Sequence, residues 1–152
     1  MSKLEELDER DLKLIMEYVR DSRQSLRQIS KRVHAAPSTL LERTKRLERK
    51  GVIKGYSAII DYEKLGYEST VVTHVTVSGG KLEEVERSIA KFPEVIAVYD
   101  VSGPSDAIVI ARFKTKKEVS DFTKKLLSMR YVERATTYIV LNVMKETLGF
   151  MN

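Results

Sequence analysis

Between Arg23 and Tyr56 the chain carries ten Lys and Arg against two Asp and Glu, a net charge of +8. Residues 1–22 carry a net −3, and residues 67–152 a net +1. A cationic surplus confined to one stretch suits a surface that grips phosphate oxygens. Arg27, Lys31, Arg32 and Lys54 supply the point charges, and each phosphate neutralised adds about 0.9 to the salt dependence of binding on a log–log scale. Ser38, Thr39, Glu42 and Lys45 bring hydroxyl, carboxylate and ammonium groups that can meet base edges, and Leu41 suits a thymine methyl. Arg43 and Arg46 fit either task; for Arg43 an internal ion pair with Glu42 or Glu48 is an equally open reading. Bond-making chemistry has little to work with. The chain has no Cys and two His, His34 and His74. It lacks paired histidines and a Gly-rich phosphate loop, so neither an enzyme nor a metal site is expected.

The elements that must position these groups follow from spacing. Leu26, Ile29 and Val33 form one helical face. His34-Ala35-Ala36 interrupts it, and Pro37 opens a second helix at the position where proline is welcome. Leu40, Thr44 and Leu47 then point inward, Ser38, Thr39, Glu42, Lys45, Arg46 and Arg49 point outward, and Gly51 stops the helix. This is the pattern of a DNA-binding helix-turn-helix, whose second helix enters the major groove. Upstream, residues 8–20 read as a further helix capped by Asp8, with Leu12, Ile15, Met16 and Val19 as its apolar stripe and Glu9 and Asp11 at the positive end of its dipole. Residues 52–60 are rich in β-branched side chains and read as a strand or wing, with Tyr56 packing there.

Composition bounds the rest. With 152 residues, 42 % hydrophobic and 32 % charged, the chain is expected to be ordered and to hold one or two small domains. No signal peptide and no apolar run of about 18 residues is visible, so a cytoplasmic location without a membrane anchor is expected. The domain reading is residues 1–60 as the helix-turn-helix domain, 61–67 as linker and 68–152 as a second domain.

The second half alternates. Residues 69–77 read as a strand and Gly79-Gly80 as a turn. Leu82, Val85, Ile89 and Phe92 mark a helix, residues 95–101 and 107–113 two strands, Val119, Phe122, Leu126 and Met129 a second helix, and residues 135–144 a last strand. The order β-α-β-β-α-β is the ferredoxin-like arrangement. The fold class is therefore α+β: an N-terminal winged helix-turn-helix joined to a C-terminal ferredoxin-like domain. Two strands look apolar on both faces: Ile96/Val98 against Val95/Ala97, and Ile108/Ile110 against Val109/Ala111. Two helices cover only one face, and the expected cover for the other is the same sheet from a second copy. DNA recognition then needs both copies, and deleting residues 67–152 is expected to weaken binding sharply.

This organisation resembles the leucine-responsive regulatory protein (Lrp/AsnC) family over about residues 7–145. The phrases that carry the resemblance are Leu7-Asp8 with Asp11, Leu41-Glu42-Arg43, Arg46-Leu47-Glu48 with Gly51-Val52-Ile53, Asp61 with Leu65-Gly66, Ser102-Gly103 with Asp106, and Thr137-Tyr138. The resemblance implies a transcription regulator that binds double-stranded DNA as a homodimer on near-palindromic sites, assembles further to octamers or similar, and takes an amino acid effector between C-terminal domains. On that expectation Ser102, Gly103, Asp106, Thr136 and Thr137 are the effector-binding candidates. Gly103 would offer a backbone N–H to a carboxylate and Asp106 would hold an ammonium; a plain turn between strands is the competing reading. The chain departs from the family pattern at His34, where glycine is usual, and at Ala36, where a serine caps the second helix. It also departs at Pro104-Ser105, where an acid and an aromatic are usual. Two further readings stay open: RNA stacking on Tyr99, Phe113 and Tyr138, and an effector-independent architectural DNA-binding protein.

Overall fold

Helix α1, Glu9–Arg20, starts on a reciprocal cap. The Asp8 carboxylate accepts the Asp11 N–H at 2.8 Å while the Asp11 carboxylate accepts the Asp8 N–H at 3.2 Å. The same device opens α2, Leu26–Val33, between Ser25 and Gln28. His34 then takes the left-handed conformation, φ 52° and ψ 48°, which a non-glycine residue adopts at a cost and histidine more readily than most. Helix α3, Pro37–Arg49, has Pro37 in its first turn and no side-chain cap at Ala36. Leu14, Ile29, Val33, Leu40 and Leu47 form the core of this three-helix group, and Tyr18 bonds Thr44 hydroxyl to hydroxyl at 3.0 Å.

The computed structural model describes residues 7–147. Two compact units emerge: residues 7–59 with 145–147, and residues 60–144. In α1 the expected apolar stripe is corrected. Leu12 and Val19 are exposed, and the buried ridge is Asp11, Leu14 and Glu17, three residues apart. Two of these three are acids, because arginines on the neighbouring helices neutralise them. Residues 52–60, expected as a strand or wing, form no strand among the described residues. The backbone N–H groups of Val52 and Ile53 turn back to the Leu47 carbonyl and finish α3, and among the described residues 54–60 pair with no strand, so β-branched composition alone builds no ladder there.

In the second unit a short 3₁₀ turn at Glu63–Leu65 precedes β1, Ser69–Val77. Then come α4, Leu82–Ile89; β2, Val95–Asp100; β3, Ala107–Phe113; α5, Lys116–Leu127; and β4, Val132–Ile139. The four strands form one antiparallel sheet in the order β2-β3-β1-β4, the ferredoxin-like topology. Val71 and Val75 of β1 and Val109, Ala111 and Phe113 of β3 pack with Val85, Ile89, Phe122 and Leu126 of the two helices. Val72, His74, Ile108 and Ile110 alternate with them and point to the uncovered face, where they are only half-buried.

Two details of the sheet differ from the sequence expectation. A bulge between Val95 and Ala97 shifts the β2 register, so Val95 and Val98 share the helix-covered face while Ala97 and Tyr99 face the open side. Strict alternation would put Ile96 and Val98 on one face. Strand β4 begins at Val132 and ends at Ile139 rather than spanning residues 135–144. Its partner β1 begins at Ser69, the last ladder-like bond runs from the Val140 N–H to the Thr70 carbonyl, and Leu141 beyond it is 96 % exposed. Among the described residues no helix is long and apolar enough to cross a membrane.

Candidate nucleic-acid interface

Proline at the first turn, an inward ridge of Leu40, Thr44 and Leu47 and a solvated opposite face decide what α3 presents. Ser38, Thr39, Leu41, Glu42 and Lys45 are all exposed, and all but Lys45 lie in its first two turns. Leu41 is 41 % exposed, a large apolar side chain standing among polar neighbours. Arg27 and Lys31 are exposed on α2, and Lys54 is exposed just past α3. Hydroxyl, carboxylate, ammonium and one apolar group thus occupy one helix face, with cations on the flanking segments. That arrangement can read base edges and hold phosphates.

The remaining arginines behave differently. Arg43 has only 18 % of its side chain exposed. It bonds the Asp8 carboxylate at 2.6 Å and the Asp11 carboxylate at 2.8 Å. The internal ion pair of the sequence reading therefore exists, but its partners are the acids at the cap and first turn of α1 rather than Glu42 or Glu48. The reason is helical geometry: Arg43 follows Leu40 by three residues and shares its inward side. Arg46, three residues further on and 42 % exposed, bonds the other Asp11 oxygen. Arg32 donates from Nε to Glu17 at 2.6 Å and is 45 % exposed. Asp11 itself is fully buried. The guanidinium of Arg43 holds the Asp8 carboxyl below the usual carboxylate range, and Asp8 and Asp11 together raise Arg43. Tyr56 packs edge-on against Tyr18, ring centres 5.5 Å apart, and donates to Glu48 at 2.9 Å; burial and then Glu48 push its hydroxyl pKa upward.

The effector candidates are not brought together. Ser102 and Gly103 lie exposed in the β2–β3 turn. Asp106 accepts the Val77 N–H on its carboxylate at 2.7 Å, and its backbone bonds Val75 and Val101, which is what a turn residue tying two strand ends would do. Thr136 and Thr137 point to opposite faces. Thr137 lies on the helix-covered side, its hydroxyl joined to Thr73 at 3.0 Å and to Thr123 of α5 at 3.1 Å, opposite to Thr136 by the alternation of β4. Thr136 pairs across from His74 on the open face. There the structure adds a contact that spacing did not predict: Ser105 meets the His74 Nδ1 at 3.3 Å, and Tyr138 lies edge-on to the imidazole, ring centres 5.3 Å apart. Sequence reasoning also missed Asp11 and Glu17 as partners of the arginines. Their three-residue spacing around Leu14 was the available signal. Among the described residues no cluster of three or more acids and histidines could hold a metal ion.

Comparison with known proteins bears on this geometry. The profile of the Lrp/AsnC ligand binding domain matches residues 70–150, and that of a winged helix-turn-helix DNA-binding domain matches residues 7–54. The chain belongs to the Lrp/AsnC family. It is a helix-turn-helix transcriptional regulator of that kind. The HTH-type transcriptional regulator FL11 of Pyrococcus horikoshii is 42 % identical over 141 residues, covering 93 % of each chain. An HTH-type transcriptional regulator of Pyrococcus abyssi is 44 % identical over 140 residues, 92 % of this chain and 95 % of that one. Among solved structures, a Neisseria meningitidis transcriptional regulator in complex with L-Met superposes with a TM-score of 0.89 at 28 % identity, covering 96 % and 97 % of the two chains. LrpC of Bacillus subtilis gives 0.82 at 26 %, covering 92 % and 98 %.

Proposed function

We propose that this Lrp/AsnC member is a dimeric, sequence-specific regulator that reads duplex DNA with α3. Ser38, Thr39, Leu41, Glu42 and Lys45 face the bases, and Arg27, Lys31 and Lys54 meet the phosphates. The observation that carries the reading is the exposed polar face of α3 set within a stretch of net charge +8. Two copies joined through the open sheet face present two such helices, and a site built from two half-sites about 34 Å apart follows. Selection of duplexes from a random pool by the full-length protein tests this. Enrichment of a near-palindrome with half-sites one turn apart is the expected result, and enrichment of no sequence overturns it.

The L-Met complex of the Neisseria relative supports a small amino acid as effector, and further assembly to octamers agrees with the family resemblance. Titration calorimetry against the twenty amino acids checks the effector: heat from at least one is expected. The Asp106 carboxylate, already accepting the Val77 N–H, and Pro104-Ser105 in the turn favour a second reading, an effector-independent architectural binder. A competition gel shift of promoter against random DNA separates the two, since an architectural protein retains both equally.

A further inference from the structure

Helix α1 buries acid where an amphipathic helix would bury leucine. Asp11 is 0 % exposed and divides its two carboxylate oxygens between Arg43 and Arg46 of α3. Burying such a group is expensive, and well-packed apolar residues of similar volume commonly give equal or greater stability. Stability alone therefore does not account for an acid at this position. Its geometry does something an apolar residue could not: it fixes two side chains of α3 by directed bonds, and so fixes the roll of that helix about its axis. With Asp8, which takes a second bond from Arg43, it also balances the charge of two cations, one of which, Arg46, sits half-exposed beside Lys45.

We propose that Asp11 is a positioning residue for DNA reading: it withholds Arg43 and Arg46 from the phosphates and sets the roll at which Ser38, Thr39, Glu42 and Lys45 meet base edges. This rests on α3 being the reading helix. Phosphate contacts add affinity without sequence information, whereas base contacts specify. Withholding two arginines thus lowers binding to random DNA and leaves discrimination to the outward face. Loss of the carboxylate frees at least Arg46 to reach a phosphate and loosens the roll of α3.

The test measures affinity of the full-length protein for its selected duplex and for a random duplex across a salt series. Lys31→Gln serves as a phosphate-contact control and is expected to lower the log–log slope by about 0.9. Arg46→Gln is expected to leave the slope at the wild-type value. Asp11→Asn is expected to raise the slope by about 0.9 and to reduce the ratio of selected to random affinity about tenfold, the discrimination carried by one base pair. A purely structural role would lower stability but move neither the slope nor the ratio of folded protein. A folded Asp11→Asn protein with wild-type slope and ratio, or an Arg46→Gln slope as low as that of Lys31→Gln, overturns the proposal. If Asp11→Asn loses its circular dichroism signature, the Arg46→Gln arm decides alone. Wild-type protein that binds neither duplex in low salt removes the reading role of α3 itself, and this proposal with it.

Discussion

Two carboxylates respond to pH with opposite signs. Asp8 is ionised more readily in the folded protein, first because Arg43 bonds it and then because the Asp11 N–H does. A depressed folded-state pKa contributes stability that is present above the unfolded value of about 4 and lost as pH falls through the lower folded value. Asp8→Asn keeps a competent helix cap and removes only the charge. It is expected to be less stable than wild type at neutral pH, with the difference closing as the medium becomes strongly acid. Glu86 on α4 is the reverse case: burial, then Asp100 and Glu83, push its carboxyl upward, and one of its oxygens is buried without a partner. Its ionised form opposes folding, a penalty absent below about pH 4 and full above the raised folded value. Glu86→Gln is therefore expected to stabilise the chain at neutral pH by about 0.5 kcal/mol, in line with relief of a like-charge contact, and to be neutral in acid. Urea titrations of the two variants across the acid range check both signs.

At the scale of the element, α3 starts without a side-chain cap, whereas α1 and α2 each start on one. Ala36→Ser would place a hydroxyl where the orphan N–H groups of the first turn need an acceptor, and about 1 kcal/mol of added stability is expected, seen as a higher denaturation midpoint with unchanged slope. Helix starts, the His34 turn and the inward ridge of α3 were all legible from spacing, because caps, breakers and 3.6-residue periods are local signals. Helix α1 was not: Leu12, Ile15, Met16 and Val19 make a better stripe on paper than Asp11, Leu14 and Glu17 do. Acids look like surface until their partners, Arg43 thirty-two residues away and Arg32 fifteen away, are known. The same limit governs the sheet. The order β-α-β-β-α-β was readable, but the bulge at Ile96 and the end of β4 at Ile139 depend on neighbouring strands. The facing of the effector candidates was not legible either, since Thr136 and Thr137 are adjacent in sequence and opposite in space.

The whole molecule turns on the uncovered face of the sheet. Its central strands carry Val72, Ile108 and Ile110, half-buried in the single chain, with Tyr99 and Tyr138 more than half exposed beside them. Apolar faces of this kind belong against something, and a second copy of the same sheet satisfies the symmetry that a palindromic duplex requires. Ile110→Glu tests the arrangement without touching either the helix-packed core or α3. A carboxylate at the centre of a twin interface is buried unpaired, which costs several kcal/mol, whereas on a face bathed in water it costs little. The expected outcome is a protein that keeps its circular dichroism spectrum, sediments as a monomer at micromolar concentration, and binds the selected duplex about 100-fold more weakly. Two linked reading helices gain that much from the second contact being intramolecular. Each freed copy should then footprint a single half-site. Unchanged mass together with unchanged affinity would mean that the open face is not where the copies meet.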